Sequence, residues 1–308
     1  MTARPPHHLL RSFGRTALTA GTSALVSAGA LGSAPRLPDG MRGPWARTNH
    51  AGDPVTLLEG PAWVAGAVAG ALLSVWPATT SASLGSPVRS RSGRAAPVVV
   101  AIAAGALGAL DDLGGDASSK GLRGHLGALS RGEVTTGSVK IVGLAASGVL
   151  GAALVDRPWA PGCDVAGRRR PPPFLSVLLG GAVIAGAANA VNLFDLRPGR
   201  ALKVSAAVAS VIVAAGPVGP AAPAALGASL GVLPADLAAR AMLGDTGANA
   251  AGALLGAALV ARLGPAGRAA ALVALTALTL ASERVSFTAV IARHPVLRRI
   301  DEWGRGTS

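Results

Sequence analysis

Carboxylates are scarce in this chain, 15 among 308 residues, and several stand where long apolar runs begin or end. In DDLGGDASSKGLRGH, the acidic pair Asp111 and Asp112 leads into a glycine-punctuated loop with Lys120, Arg123 and His125. In NAVNLFDLRPGRALK, Asn189 and Asn192 fall about one helical turn apart before Asp195, with Arg200 and Lys203 behind. In MLGDTGANAAG, Asp245 sits just ahead of an apolar run, where a helix N-terminus offers free N–H groups to an anion.

Asp111, Asp112 and Asp195 close apolar segments, and a helix dipole disfavours negative charge at that end. The compensation can be a divalent cation, basic side chains such as Lys120, Arg123, Arg200 and Lys203, or water. Hard cations take carboxylate oxygens and bridge to substrate phosphates, so carboxylates beside lysine and arginine suit phosphoryl transfer. Blander readings stand beside this one. The first string can be a charged interfacial loop, the amides can hydrogen-bond neighbouring helices, and Asp245 can be a simple N-cap.

The elements that must position these residues are apolar helices. Half of the chain is hydrophobic, 14% is charged, and mean hydropathy is +0.49. Several apolar stretches approach the roughly 20 residues that a helix needs to cross a bilayer. We read spans at Arg15 to Ala34, Pro61 to Pro77, Pro97 to Leu110, Ser138 to Val155, Phe174 to Phe194, Ala201 to Ala215, Ala221 to Leu233, Asn249 to Leu263 and Arg268 to Ala281. Four breakers, Gly216, Pro217, Gly219 and Pro220, split the run from Ala201 to Leu233 into a tight helical hairpin. The first segment also carries the basic lead and small-residue end of a signal peptide. The expected fold is all-α, a polytopic transmembrane bundle of about nine to ten spans forming one integral membrane domain over residues 1–308. Its motif-bearing core runs from 48 to 264 and its tail from 282 to 308.

Nine alternating crossings gather Asn49, Asp111, Asp195, Asp245 and the tail on one face. Lysine and arginine favour that face, which places it in the cytoplasm of a plasma (inner) membrane protein. Two basic, proline-rich stretches, Ala78 to Ala96 and Asp156 to Pro173, read as solvated connectors. A formal charge of +13 points to lipid head groups, a lipid phosphate or a phosphorylated substrate. Nucleic acid is a poor partner for a chain without aromatic platforms. Cys163 is the single cysteine, which excludes an internal disulfide.

In order and spacing, the three strings resemble the polyprenyl-phosphate N-acetylhexosamine-1-phosphate transferases, the superfamily that includes the phospho-N-acetylmuramoyl-pentapeptide transferase of peptidoglycan synthesis. The resemblance implies transfer of a sugar-1-phosphate from a UDP-amino sugar to a polyprenyl phosphate, with release of UMP, for cell-envelope glycan synthesis. Magnesium is the implied cofactor, with manganese as an alternative, and a homodimer is left open. By position, Asp245 would ligate the metal with Asp112, while Asp111 and Asp112 would position or deprotonate the lipid phosphate. Asn189, Asn192 and Asp195 would hold the nucleotide side, and Lys120, Arg123 and His125 would bind phosphate or shape the cleft.

The chain departs from that pattern in two places. Pro198 stands where the peptidoglycan enzymes have a second aspartate, and Ser282 to Arg305 lacks their histidine cluster. On this basis Arg197, Arg200 and Lys203 are expected to take over phosphate contacts. Two other classes stay open: a silent relative that binds lipid phosphate or regulates envelope assembly, and an ion-coupled transporter.

Overall fold

The computed structural model describes residues 6–49, 52–75, 91–114, 136–156, 173–216 and 219–305. Among them the chain is almost entirely helical: α1 (Pro6–Ser33), α2 (Asp39–Arg42), α3 (Glu59–Val75), α4 (Arg91–Gly114), α5 (Thr136–Asp156), α6 (Pro173–Phe194), α7 (Arg200–Ala214), α8 (Ala221–Leu237), α9 (Gly244–Val260), α10 (Pro265–Ser282), α11 (Phe287–Arg293) and α12 (Pro295–Glu302). The described sheet is a single hairpin in which β1 (Ala46–Thr48) pairs antiparallel with β2 (Pro54–Thr56), Arg47 opposite Val55.

Among the described residues, four stretches are long and apolar enough to cross a membrane: Ala95–Gly114, Gly137–Asp156, Phe174–Phe194 and Pro265–Ser282. The 22 residues of α6 reach about 33 Å at 1.5 Å per residue, close to the thickness of a hydrocarbon core. Each of the nine apolar runs is a helix, but some bounds differ from the expected ones. Helix α4 continues to Gly114, so Asp111 and Asp112 belong to its last turns. Part of the first basic connector is helical, since α4 already begins at Arg91. Helix α9 starts at Gly244, which puts Asp245 inside its first turn.

Helix α9 is the centre of the bundle, touching α3, α4, α5, α6, α7 and α8. Its sequence, GDTGANAAGALLGAALV, is almost all small residues, and every residue from Thr246 to Ala258 is buried. Small side chains let helix backbones approach closely, which substitutes for a hydrophobic drive between helices in lipid. Around this axis, α1 packs on α3 and α8, α5 on α4 and α6, α7 on α8, and α10 on α6. Helices α7 and α8 thus form the expected hairpin. Trp63 of α3 is fully buried and donates its indole N–H to Ser229 of α8 at 3.1 Å. Away from the motif residues, buried Arg268 of α10 grips Asp156 of α5 with two bonds of 2.7 Å.

Candidate active site

The N-terminus of α9 is where the scattered motifs meet. Helix α9 has Leu243 at its N-cap with no side-chain cap, so its first N–H groups need an acceptor from elsewhere. Asp112 supplies it from the end of α4. One carboxylate oxygen accepts from the Asp245 N–H at 3.0 Å, and the other accepts from the Thr246 N–H at 2.9 Å and its hydroxyl at 2.6 Å. A carboxylate at the C-terminal end of one helix is thereby stabilised by the N-terminal dipole of another. The anion on this helix terminus is the protein's own.

Close backbone approach makes that contact feasible. A Cβ on Gly108 would stand 2.2 Å from the Asp245 carbonyl oxygen, so only glycine lets α4 approach α9 here. Gly244 has φ +63°, a left-handed conformation that glycine adopts without strain.

Lys140, in the first turns of α5, completes the centre. Its ammonium lies 3.0 Å from an Asp111 carboxylate oxygen and also donates to Asp245. Three helices therefore deliver two carboxylates and one ammonium to one point, all partly buried. Arg47 of β1 adds a second cation by donating to the Asp112 carbonyl, which ties the hairpin to the end of α4. Sequence reasoning singled out neither Lys140 nor Arg47.

Asp195, in the turn after α6, accepts from the Gly244 N–H and faces the same centre. Burial first, then the charges of Asp236, Asp245 and Asp112, push its carboxyl well above the ordinary range against the opposing Gly244 hydrogen bond. Behind it stand two more carboxyls that sequence reasoning did not single out. Glu59 opens α3 and is fully buried, and Asp236 near the end of α8 is 3% exposed. They belong to two helices that pack together, and neither Glu59 carboxyl oxygen has a hydrogen-bond partner among the described residues.

The remaining motif residues are placed differently. Asn189 donates to the Thr279 hydroxyl of α10 at 3.0 Å, a helix-to-helix contact, and Asn192 lies one turn further along α6. Arg200 is 4% exposed and spends its guanidinium on Asp301, at 2.7 and 2.9 Å, and on the Thr288 hydroxyl at 2.9 Å. Lys203 donates to the carbonyls of Ile300 and Asp301 at 3.1 and 2.7 Å. Two of the three cations expected at substrate phosphate thus hold the C-terminal helices in this structure, and the third, Arg197, is exposed in the turn after α6. Lys120, Arg123 and His125 lie outside the described residues.

The chain matches no protein-family model, and no curated protein matches it. The chemistry of the centre therefore stands on its own residues. Asp111 and Asp245 are hard oxygen donors converging on one position, which the Lys140 ammonium takes here. That pair fits magnesium, which is commonly held by one or two carboxylates together with substrate phosphates. Asp112, expected beside Asp245 on the metal, has both oxygens turned to the α9 terminus. Asp111 shares the cationic centre with Asp245 in its place. Among the described residues no three acidic, histidine or cysteine side chains form a fuller cage.

Proposed function

We propose that this chain is a membrane phosphoglycosyltransferase that moves a sugar-1-phosphate from a UDP-amino sugar to a polyprenyl phosphate and releases UMP. The observation that carries this reading is the convergence of Asp111, Asp245 and Lys140 at one end of an apolar helical bundle. Phosphoryl transfer depends on neutralising charge and aligning the attacking and leaving oxygens, with little covalent work for the protein. Lys140 is placed to neutralise a phosphate oxygen once the substrate competes for its two carboxylates. Asp111 and Asp245 would hold magnesium, which supplies charge neutralisation at the pyrophosphate when bound. Asp112 keeps α9 and its aspartate in position. Asp195 stands at the nucleotide side in this scheme, beside a buried Glu59–Asp236 pair.

The topology proposed is nine crossings, the shorter apolar helices α3, α7, α8 and α9 included, with the motif end in the cytoplasm of the plasma membrane. Cytoplasmic orientation follows from the substrate, since UDP-sugars are made there. The direct test uses purified protein in lipid nanodiscs with polyprenyl phosphate, magnesium and a panel of labelled UDP-amino sugars. A lipid-linked pyrophosphoryl sugar is the expected product. No product from any donor, with the protein folded, would instead favour the silent relative, in which the Asp111–Lys140–Asp245 triad is only an ion pair network.

A further inference from the structure

The C-terminal helices carry a second surface with chemistry of its own. At 100° per residue, Val296 and Ile300 fall on one side of α12 and Asp301 on another, and Trp303 and Arg305 follow the end of the helix at Glu302. The Asp301 side faces the bundle. Arg200 and Lys203 bind it from the start of α7, and Arg305 adds a bond to the Pro198 carbonyl at 2.8 Å. Phe287 of α11 stacks on Phe194, with ring centroids 5.4 Å apart, beside the same turn. The other side is bare: Val296 is 70% exposed, Ile300 57% and Trp303 71%. Exposed Arg299 stands at its margin, while exposed Arg298 falls on the Asp301 side of the helix.

We infer that α12 is an interfacial helix whose Val296–Ile300–Trp303 face lies in the anionic headgroup layer of the bilayer holding the protein. Three features select lipid as the occupant. An apolar stripe with Arg299 at its margin and charged residues on the rest of the helix has the composition of helices that lie in the plane of an interface. Anionic lipids complement that charge, and tryptophan is at home at headgroup level. The helix is also tied to the first turn of α7, an apolar helix that runs into the bundle. Because Asp301 and Arg305 grip residues 198–203, anchoring α12 in lipid also fixes the turn that follows Asp195. The inference rests on the membrane reading of the chain and is independent of transferase activity.

The test is spin-label accessibility on the full chain in nanodiscs. Cys163 is first replaced by serine, and a nitroxide is placed at 296 or 300 on the bare side, or at 302 away from it. Nanodiscs contain phosphatidylcholine alone or with about one third phosphatidylglycerol. Labels at 296 and 300 should be several-fold more accessible to oxygen than to a nickel chelate, label 302 should show the reverse, and phosphatidylglycerol should sharpen the contrast. Arg299→Gln should weaken the phosphatidylglycerol effect and leave thermal unfolding unchanged. Equal nickel access at 300 and 302 in both lipids would overturn the inference. So would protection of 300 that ignores lipid charge, or protection with spin–spin broadening, which would assign the face to a second copy of the chain.

Discussion

Asp112 at the end of α4 accepts the backbone N–H groups of Asp245 and Thr246, at 3.0 and 2.9 Å, so one helix caps another across 133 residues of sequence. This contact couples the fold to the candidate site, because it sets the position of Asp245. Asp112→Ala should lower stability by roughly 0.5–2 kcal/mol, the range for losing a helix cap. Asp112→Asn should fall between, since its amide keeps one accepting oxygen. Thermal unfolding in detergent checks the order.

Gly108→Val should be more damaging than its position in an apolar helix indicates. The added side chain meets the Asp245 carbonyl and must push α4 off α9, separating Asp112 from the helix terminus it caps. Loss of transfer with a marked fall in melting temperature is expected. Unchanged melting would show that α4 approaches α9 less closely.

Lys140→Met should leave Asp111 and Asp245 facing each other without their shared cation. Their repulsion then makes the protein depend on an added one. Magnesium should raise the melting temperature of the variant by more than that of the unaltered chain, and transfer should be lost. Equal responses to magnesium would remove these two carboxylates from the metal account.

Asp195 gives a pH prediction. Its folded-state value lies above the unfolded carboxylate value of about 3.9, so its protonated form is favoured by folding. The resulting stability is full below the unfolded value and is lost as pH rises through the folded one. Asp195→Asn should therefore melt at a higher temperature than the unaltered chain at pH 8, with the difference shrinking in acid. A variant less stable at pH 8 would contradict this.

Arg200→Ala should release the C-terminal helices, because it removes the guanidinium that holds Asp301 and Thr288. Asp301 gives the same element an acid limit. Burial opposes its charge, but the hydrogen bonds and charge of Arg200, with Arg305, outweigh that and hold its carboxyl below the ordinary range. Its contribution is thus present above about pH 4 and is lost as pH falls through the lowered value. Faster proteolysis after Ser282 in Arg200→Ala, at neutral pH, is the readout.

The nine helices were legible because each is an apolar run of helical length bounded by glycine, proline or charge. Alternation of crossings also brought Asp111, Asp112, Asp195 and Asp245 to one end, as their contacts now show. Lys140 was hidden because it lies near the start of an apolar stretch with no motif around it, and only packing of α5 against α4 reveals its partners. Glu59 and Asp236 stand at helix ends with no motif around them, 177 positions apart in the chain, and only the packing of α3 on α8 relates them. Arg200 and Lys203 showed charge suited to phosphate, but a sequence does not show that Asp301 reaches them first.

The central claim is that Asp111 and Asp245 with Lys140 form a phosphoryl-transfer centre. Exchange of labelled UMP into a UDP-amino sugar, in the presence of polyprenyl phosphate, measures it most directly. The account predicts magnesium-dependent exchange by the unaltered chain and none by Asp245→Asn, which keeps the shape and melting behaviour but lacks the charge a hard cation requires. Exchange that persists in Asp245→Asn, or that proceeds unchanged with magnesium removed, would contradict it.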